Sequence, residues 1–367
     1  MIRIALFAYS FSPNLGGGEE YNFNLAHSLS QKGVNVHVVT PVRSEKPDNY
    51  DFTVRRIRNG FISSVFDLYS EVKRIKPDLL HISGPTPIDL IISPLVRMLG
   101  IPVIMTYHAD FPSRRGRILS TLFPLVQRCV DRILVQTERD RRKLTKRLVS
   151  KERIEKFCFS GIDQRIFRIM NDSGSRDIDI LFVGRMDRAH SYKGYWEMLQ
   201  ILTELKKTSC LPDSIYVVGG GEDMKEFLER SRSNELNIKA IRDITKDELV
   251  RIFNRSKTLL LPSTSPAEGF GRVSLEAIFC GAVPIVSKYA GSAEIIEEYN
   301  AGYVIDPKDT VDSARKICEL LSDPYRLSTY RANGLKMIES GKFTVDWTSE
   351  KTLKIYYQII GRKTTKV

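Results

Sequence analysis

IRIALFAYSFSPNLGGGEE (residues 2–20) joins an apolar run of strand length to three consecutive glycines and an acidic helix start. Residues 2–9 read as a strand, and the segment after the glycines places Leu25, Ala26 and Leu29 at helical spacing. Strand, glycine turn and helix in that order open a unit of alternating strands and helices. Outward from it, VNVHVVT (34–40), DLLHIS (78–83), VIMTYH (103–108) and RILVQT (132–137) are further strands, with helical spacing between them. Apolar strands bounded by helices indicate a parallel sheet covered on both faces.

Near residues 160–178 the composition turns to Ser, Asp and Gly, the character of a linker. A second series follows: DILFVG (179–184), SIYVVGG (214–220), TLLLPS (258–263) and VPIVS (283–287). The expectation is an α/β protein of two Rossmann-like, doubly wound parallel-sheet domains facing a central cleft. The domains are residues 1–170 and 171–344, with a C-terminal helix in 345–367 packing back on the first. A chain of 367 residues exceeds what one core usually serves, which agrees with two domains.

Five scattered cysteines, odd in number and without a CxxC pair, argue against a disulfide framework or zinc site and suit a reducing cytosol. MIRIALFAYS is too short an apolar run for a signal peptide, and no stretch reaches membrane-spanning length. A cytoplasmic protein is expected. The net charge of +12 is uneven: residues 111–153 hold thirteen Arg or Lys against four Asp or Glu. In RRGRILSTLFPLVQRCV basic residues alternate with Leu119, Leu122, Phe123, Leu125 and Val126. A solvated helix face and an interfacial helix on anionic lipid both fit that mixture. The second would make the protein peripheral on the inner face of the membrane. Nucleic acid is disfavoured for want of a reading motif.

Several loops carry candidate chemistry. In PNLGGGEE (13–20) bare backbone N–H groups and a helix start can receive an anion, although a tight turn needs the same glycines. G-x-G-x-x-G is not matched, which disfavours a dehydrogenase. VVGGGEDMKEF (217–227) is a similar junction. FVGRMDRAHSYKG (182–194) puts Arg185 and Lys193 after a strand, where a fork and a point charge can neutralise a diphosphate. TYHAD (106–110) places His108 and Asp110 at a strand end; His81 ends another strand and reads as structural. In SPAEGFGRVSLEA (265–277), Glu268 precedes and Glu276 lies within a helix start that Gly281 closes on the far side. No further His or Asp ligand accompanies the two carboxylates, so no metal is expected.

Together these stretches resemble the retaining GT-B glycosyltransferases of family GT4, the glycosyl transferases group 1. EGFGRVSLE is similar to that family's Glu–x7–Glu signature. The glycine loop at 16–18, the GR at 184–185 with KG at 193–194, SGIDQRIF (160–167) and DELVRIFNRSKTLLLPS (247–263) fall in family order. The resemblance implies that Glu268 holds the transferred sugar's hydroxyls and Glu276 the ribose hydroxyls. Arg185 and Lys193 would stabilise the departing diphosphate, and backbone at Gly269, Phe270, Gly271 and Arg272 would cradle sugar and phosphate. Gly17 and Gly18 would touch phosphate or acceptor, and His108 the donor sugar. No cofactor is implied, because the UDP-, GDP- or ADP-sugar is itself a substrate. The sequence departs from the family in two places. Seven residues separate Arg185 from Lys193, and Arg242 with Asp243 stands where relatives carry a glycine beside the base.

The expected function is therefore retaining transfer of a hexose from a nucleoside diphosphate sugar to an alcohol acceptor, lipid-linked or a glycan at a membrane surface. A sucrose- or trehalose-type synthase with a soluble acceptor, and a non-catalytic nucleotide-sugar-binding protein, are the alternatives.

Overall fold

A computed structural model describes residues 1–14, 16–108, 129–147, 149–170 and 175–364. The chain divides into two units, residues 1–161 with 342–367, and residues 162–341. The sequence reading placed the divisions at 170/171 and 344/345. Residues 162–170 are tied to the second unit by Asn254, whose Oδ1 accepts from the Met170 N–H at 2.8 Å while its Nδ2 donates to the Arg168 carbonyl. Phe167 packs edge-on against Phe253 beside them.

The first unit holds seven parallel strands: β1 (Arg3–Ala8), β2 (Asn35–Thr40), β3 (Thr53–Arg56), β4 (Leu79–Gly84), β5 (Val103–Tyr107), β6 (Arg132–Val135) and β7 (Ile154–Lys156). Their order across the sheet is β3-β2-β1-β4-β5-β6-β7. The second unit holds six: β8 (Ile178–Val183), β9 (Ile215–Val218), β10 (Ile238–Ile241), β11 (Ser256–Leu261), β12 (Val283–Ser287) and β13 (Tyr303–Ile305). Here the order is β10-β9-β8-β11-β12-β13, again parallel throughout. Each sheet starts near its middle, grows to one side and then crosses to the other. That reversal leaves a switch point between β1 and β4 and another between β8 and β11, where parallel sheets receive ligands.

Central strands such as β1, β4 and β5 are buried along almost their whole length because helices cover both faces. The four strands absent from the sequence reading, β3, β7, β10 and β13, are the four edges. TVRR, IEK, IKAI and YVI are three or four residues long and carry at most a weak apolar signal.

The C-terminal helix Val345–Thr364 packs on the helix Gly17–Gln31 within the first unit. Its Ser349 hydroxyl meets Ser28 at 2.7 Å, and Tyr356 reaches His81 of β4 through its phenol. The other nitrogen of His81 bonds the Thr106 hydroxyl at 2.6 Å, and Thr106 bonds Tyr21 at 2.9 Å. This chain of polar groups is fully enclosed, so each member needs the next. Burial pushes the His81 imidazole down to about 3, with the charge of His108 adding to the shift. The ring is neutral and structural.

One expectation is corrected. Cys210, just beyond the helix Tyr195–Lys207, is disulfide-bonded to Cys318 in the helix Thr310–Leu321. The pair is 108 residues apart in the chain. It forms because those two helices pack on each other, which spacing cannot reveal. The cysteines therefore no longer argue for a reducing compartment. Among the described residues no helix is long and apolar enough to cross a membrane.

Candidate functional site

At the switch point of the second sheet, two loops leave neighbouring strands β8 and β11 at their carboxyl ends. After β8 the chain passes Arg185, makes a tight turn over Arg188–Lys193 and enters the helix Tyr195–Lys207 at Gly194. Asp187 caps the turn: its Oδ1 accepts from the His190 N–H at 3.0 Å and pairs with His190 Nδ1 at 2.7 Å. Its other oxygen lies 3.3 Å from Arg185 Nε. Gly194 has φ +77°, and a Cβ there would sit 1.8 Å from the carbonyl oxygen of Pro262, just past β11. Only glycine lets the two loops close to this distance. The Thr264 N–H then donates to the Tyr192 carbonyl at 2.8 Å and fixes their register.

The result is that Lys193 Nζ lies 3.2 Å from both carboxylate oxygens of Glu268, 75 residues away. Ser263, in the loop after β11, donates its hydroxyl to Glu268 Oε2 at 3.0 Å. The Glu268 side chain is only 5% exposed. Its oxygens take the Lys193 ammonium and the Ser263 hydroxyl, and the four lone-pair sites of a carboxylate exceed these bonds. It can accept further from hydroxyl groups. Tyr192 stands beside it; burial first, then the charges of Glu268 and Asp187, push its phenol up to about 12.

Beyond Glu268, Gly269 and Gly271 turn the backbone with φ +67° and +79°. Their loop is held by the N–H groups of Gly291 and Ser292, which donate to the carbonyls of Gly269 and Phe270 at 2.8 and 2.7 Å. The helix Val273–Phe279 follows, with Gly281 at φ +78° beyond its end. Arg272 and Glu276 are one turn apart on the same face of it, with Nε to Oε1 at 3.5 Å. Phe270 and Arg272 are both buried.

The structure thus brings Lys193 to Glu268, and Arg272 to Glu276. Arg185 is not bonded to either glutamate; it extends from the same loop with its side chain 64% exposed. Arg242 is exposed just past the edge strand β10. Ser263 and Tyr192 belong to the site and were missed, because a serine and a tyrosine in polar loops carry no spacing signal.

In the first unit, Gly17 begins the helix Gly17–Gln31 with Gly18 in its first turn, and among the described residues no side chain caps that end. His108 follows β5. Its Nε2 bonds the Ser83 hydroxyl of β4 at 2.9 Å, and its backbone N–H donates to Gly84. Tyr21 and Phe159 meet its ring edge-on at 4.8 and 5.3 Å. Burial pushes the imidazole down to about 4, so the ring is a neutral hydrogen-bonding group at pH 7. Asp110 lies outside the described residues, as do Arg114, Arg115, Arg117, Leu119, Leu122, Phe123, Leu125 and Val126 of the basic stretch. The described part of that stretch includes the helix Glu138–Lys146, where Arg139, Arg141, Arg142, Lys143 and Lys146 stand over a single buried residue, Leu144. Among the described residues no group of three or more His, Cys, Asp or Glu side chains is placed to hold a metal ion.

Residues 15–156 match the family model described as Glycosyltransferase Family 4, and residues 163–337 the model described as Glycosyl transferases group 1. The chain is 22% identical over 386 residues to an N-acetyl-alpha-D-glucosaminyl L-malate synthase of Bacillus anthracis, covering 98% of this chain and 97% of that one. It is 23% identical over 278 residues to the sulfoquinovosyl transferase SQD2 of Arabidopsis thaliana, covering 70% of this chain and 52% of the plant protein. Among solved structures, Anabaena Alr3699/HepE in complex with UDP and glucose superposes with a TM-score of 0.79 at 16% identity, over 98% of this chain and 100% of that one. Two ordered family matches, two Rossmann-like parallel sheets and the paired loops at β8 and β11 agree: the chain belongs to the group 1, family 4 glycosyltransferases of the GT-B fold.

Proposed function

We propose that the chain is a retaining glycosyltransferase moving a hexose from a nucleoside diphosphate sugar to an alcohol acceptor. The observation that carries this reading is the Glu268 carboxylate, enclosed by Lys193 and Ser263 at the β8/β11 switch point. Its unused acceptor sites suit the hydroxyls of a sugar. Lys193 and Arg185 supply positive charge where a diphosphate leaves, and that fixed charge does the electrostatic work without a metal. Glu276 takes the ribose hydroxyls. Backbone at Gly269, Phe270, Gly271 and Arg272 receives sugar and phosphate, and Arg242 stands toward the base. Gly17 and Gly18 meet phosphate or acceptor, and neutral His108 hydrogen-bonds the donor sugar.

In the reaction, the acceptor hydroxyl forms its bond to the anomeric carbon on the face from which the diphosphate departs. The carbon–oxygen bond to phosphate breaks, and the departing phosphate oxygen takes the acceptor's proton. UDP is the first nucleotide to try, since the Anabaena structure holds UDP and glucose; GDP- and ADP-sugars complete the screen. The acceptor is lipid-linked or a glycan at the cytoplasmic face of a membrane, a reading supported by the basic stretch at 111–153. A soluble acceptor is the second reading, favoured by the likeness to the Bacillus N-acetyl-alpha-D-glucosaminyl L-malate synthase.

Glu268→Ala and Arg185→Ala test the assignment. With cell extract as acceptor source, each is expected to remove most transfer while the unfolding curve stays cooperative. Near-normal transfer by either variant overturns its role, and nucleotide binding without turnover on any acceptor favours the non-catalytic alternative.

A further inference from the structure

The Arg272 side chain is buried without hydrogen-bond partners among the described residues. It is 7% exposed, and among the described residues Nε, Nη1 and Nη2 all lack a hydrogen-bond partner. Glu276 forms an ion pair with it, Oε1 lying 3.5 Å from Nε, but no hydrogen bond is made there. A buried guanidinium with no bond to any of its five N–H donors is costly unless an anion completes it.

A second unsatisfied group lies at the glycine turn that precedes Arg272. Ser292 is fully buried, and its Oγ has no partner among the described residues. Ser292 is fixed there by its own N–H, which donates to the Phe270 carbonyl at 2.7 Å. A Cβ added to Gly271, the residue before Arg272, would stand 3.3 Å from that hydroxyl. Two unmade donor groups thus flank one glycine turn, and Arg272 shares a helix face with Glu276.

We propose that the Arg272 guanidinium and the Ser292 hydroxyl bind a phosphate of the donor's nucleoside diphosphate, so that side chains as well as backbone grip it. This rests on the donor site assigned above and adds two side-chain ligands to it. Arg offers a planar fork that matches two phosphate oxygens at once, and Ser adds a single donor. Without ligand the fork is unsatisfied, so it serves the bound state at a cost to the free one. That trade-off separates a ligand-binding arginine from a structural one.

The test is titration of UDP, GDP and ADP into the full chain, with thermal unfolding of the ligand-free protein alongside. Arg272→Met keeps length and removes charge. It should weaken binding of the preferred diphosphate about 10- to 100-fold, the range for a hydrogen bond to a charged group. Its ligand-free unfolding temperature should equal or exceed that of the unchanged chain. Arg272→Lys, which keeps charge without the fork, should also bind more weakly. Ser292→Ala should lose a few-fold. Diphosphate affinity within about twofold in both Arg272 variants overturns the proposal, as does a lowered ligand-free unfolding temperature in both. If the unchanged chain binds none of the three diphosphates, the donor-site assignment fails with it. If it binds one and Arg272→Met binds it equally well, only this inference fails.

Discussion

Gly194→Ala is the sharpest probe of how the fold builds its site. The new methyl would lie 1.8 Å from a backbone oxygen, that of Pro262, and not from a flexible side-chain end. The two loops must then part by more than about 1 Å before the contact is tolerable, and alanine at φ +77° adds about 1–2 kcal/mol of backbone strain. Lys193 immediately precedes Gly194, and at 3.2 Å its ammonium is already near the outer range for a bond to Glu268. Parting the loops breaks that bond, which in so enclosed a place contributes about 1.5–3 kcal/mol. The expected loss of stability is about 2.5–5 kcal/mol, read from urea unfolding midpoints at constant slope. On the roles proposed for Lys193 and Glu268, misplacing their charge by about 1 Å is expected to lower kcat/KM about 100-fold, measured on whichever nucleoside diphosphate sugar the unchanged chain consumes. An unchanged midpoint with activity within twofold would refute the claim that Gly194 sets the Lys193–Glu268 distance. Reduced stability with full activity would show that this distance does not matter to the chemistry.

Tyr356→Phe removes the phenol that bonds the buried His81 and should cost about 1–3 kcal/mol, checked by chemical denaturation; no change would mean that the chain of bonds from Tyr356 to Tyr21 adds nothing. Stability should also depend on pH through three buried groups. His81 and His108 titrate near 3 and 4 in the fold against 6.5 when exposed, so the unfolded chain binds protons first and stability falls as pH drops below about 6.5. Asp89, raised by burial to about 7, acts oppositely: the unfolded chain ionises it first, and its contribution is lost as pH rises from about 3.8 to 7. The net expectation between pH 6 and 4 is a loss of about 1.4 kcal/mol per pH unit, and Asp89→Asn should steepen it; a flat profile in both proteins contradicts the burial argument. For the membrane proposal, the protein should sediment with anionic liposomes at low salt, and charge reversal at Arg114, Arg115 and Arg117 should abolish this. Failure to sediment, or binding that survives the reversal, sinks the idea.

The interior of both sheets was legible because central parallel strands need long apolar runs, as in IALFA and TLLL. The edge strands β3, β7, β10 and β13 were not, since an edge is held on one side only and TVRR or IEK can serve. The loops around Glu268, Glu276, Arg185 and Lys193 were found through residue type and order. What they touch was not. Whether Lys193 meets Glu268 depends on a glycine packed on Pro262, and the missing partners of Arg272 and Ser292 depend on how the chain packs around the turn at Gly271. The Cys210–Cys318 bond was invisible for the same reason: packing of two distant helices creates it.

The most direct test of the account is a proton NMR record of the chain incubated with α-linked UDP-, GDP- and ADP-hexoses and a membrane extract. The account predicts that one donor's anomeric signal disappears with release of its diphosphate, that a product signal of α configuration replaces it, and that Glu268→Ala prevents both changes. Persistence of all three donors, or a product of β configuration, would contradict it.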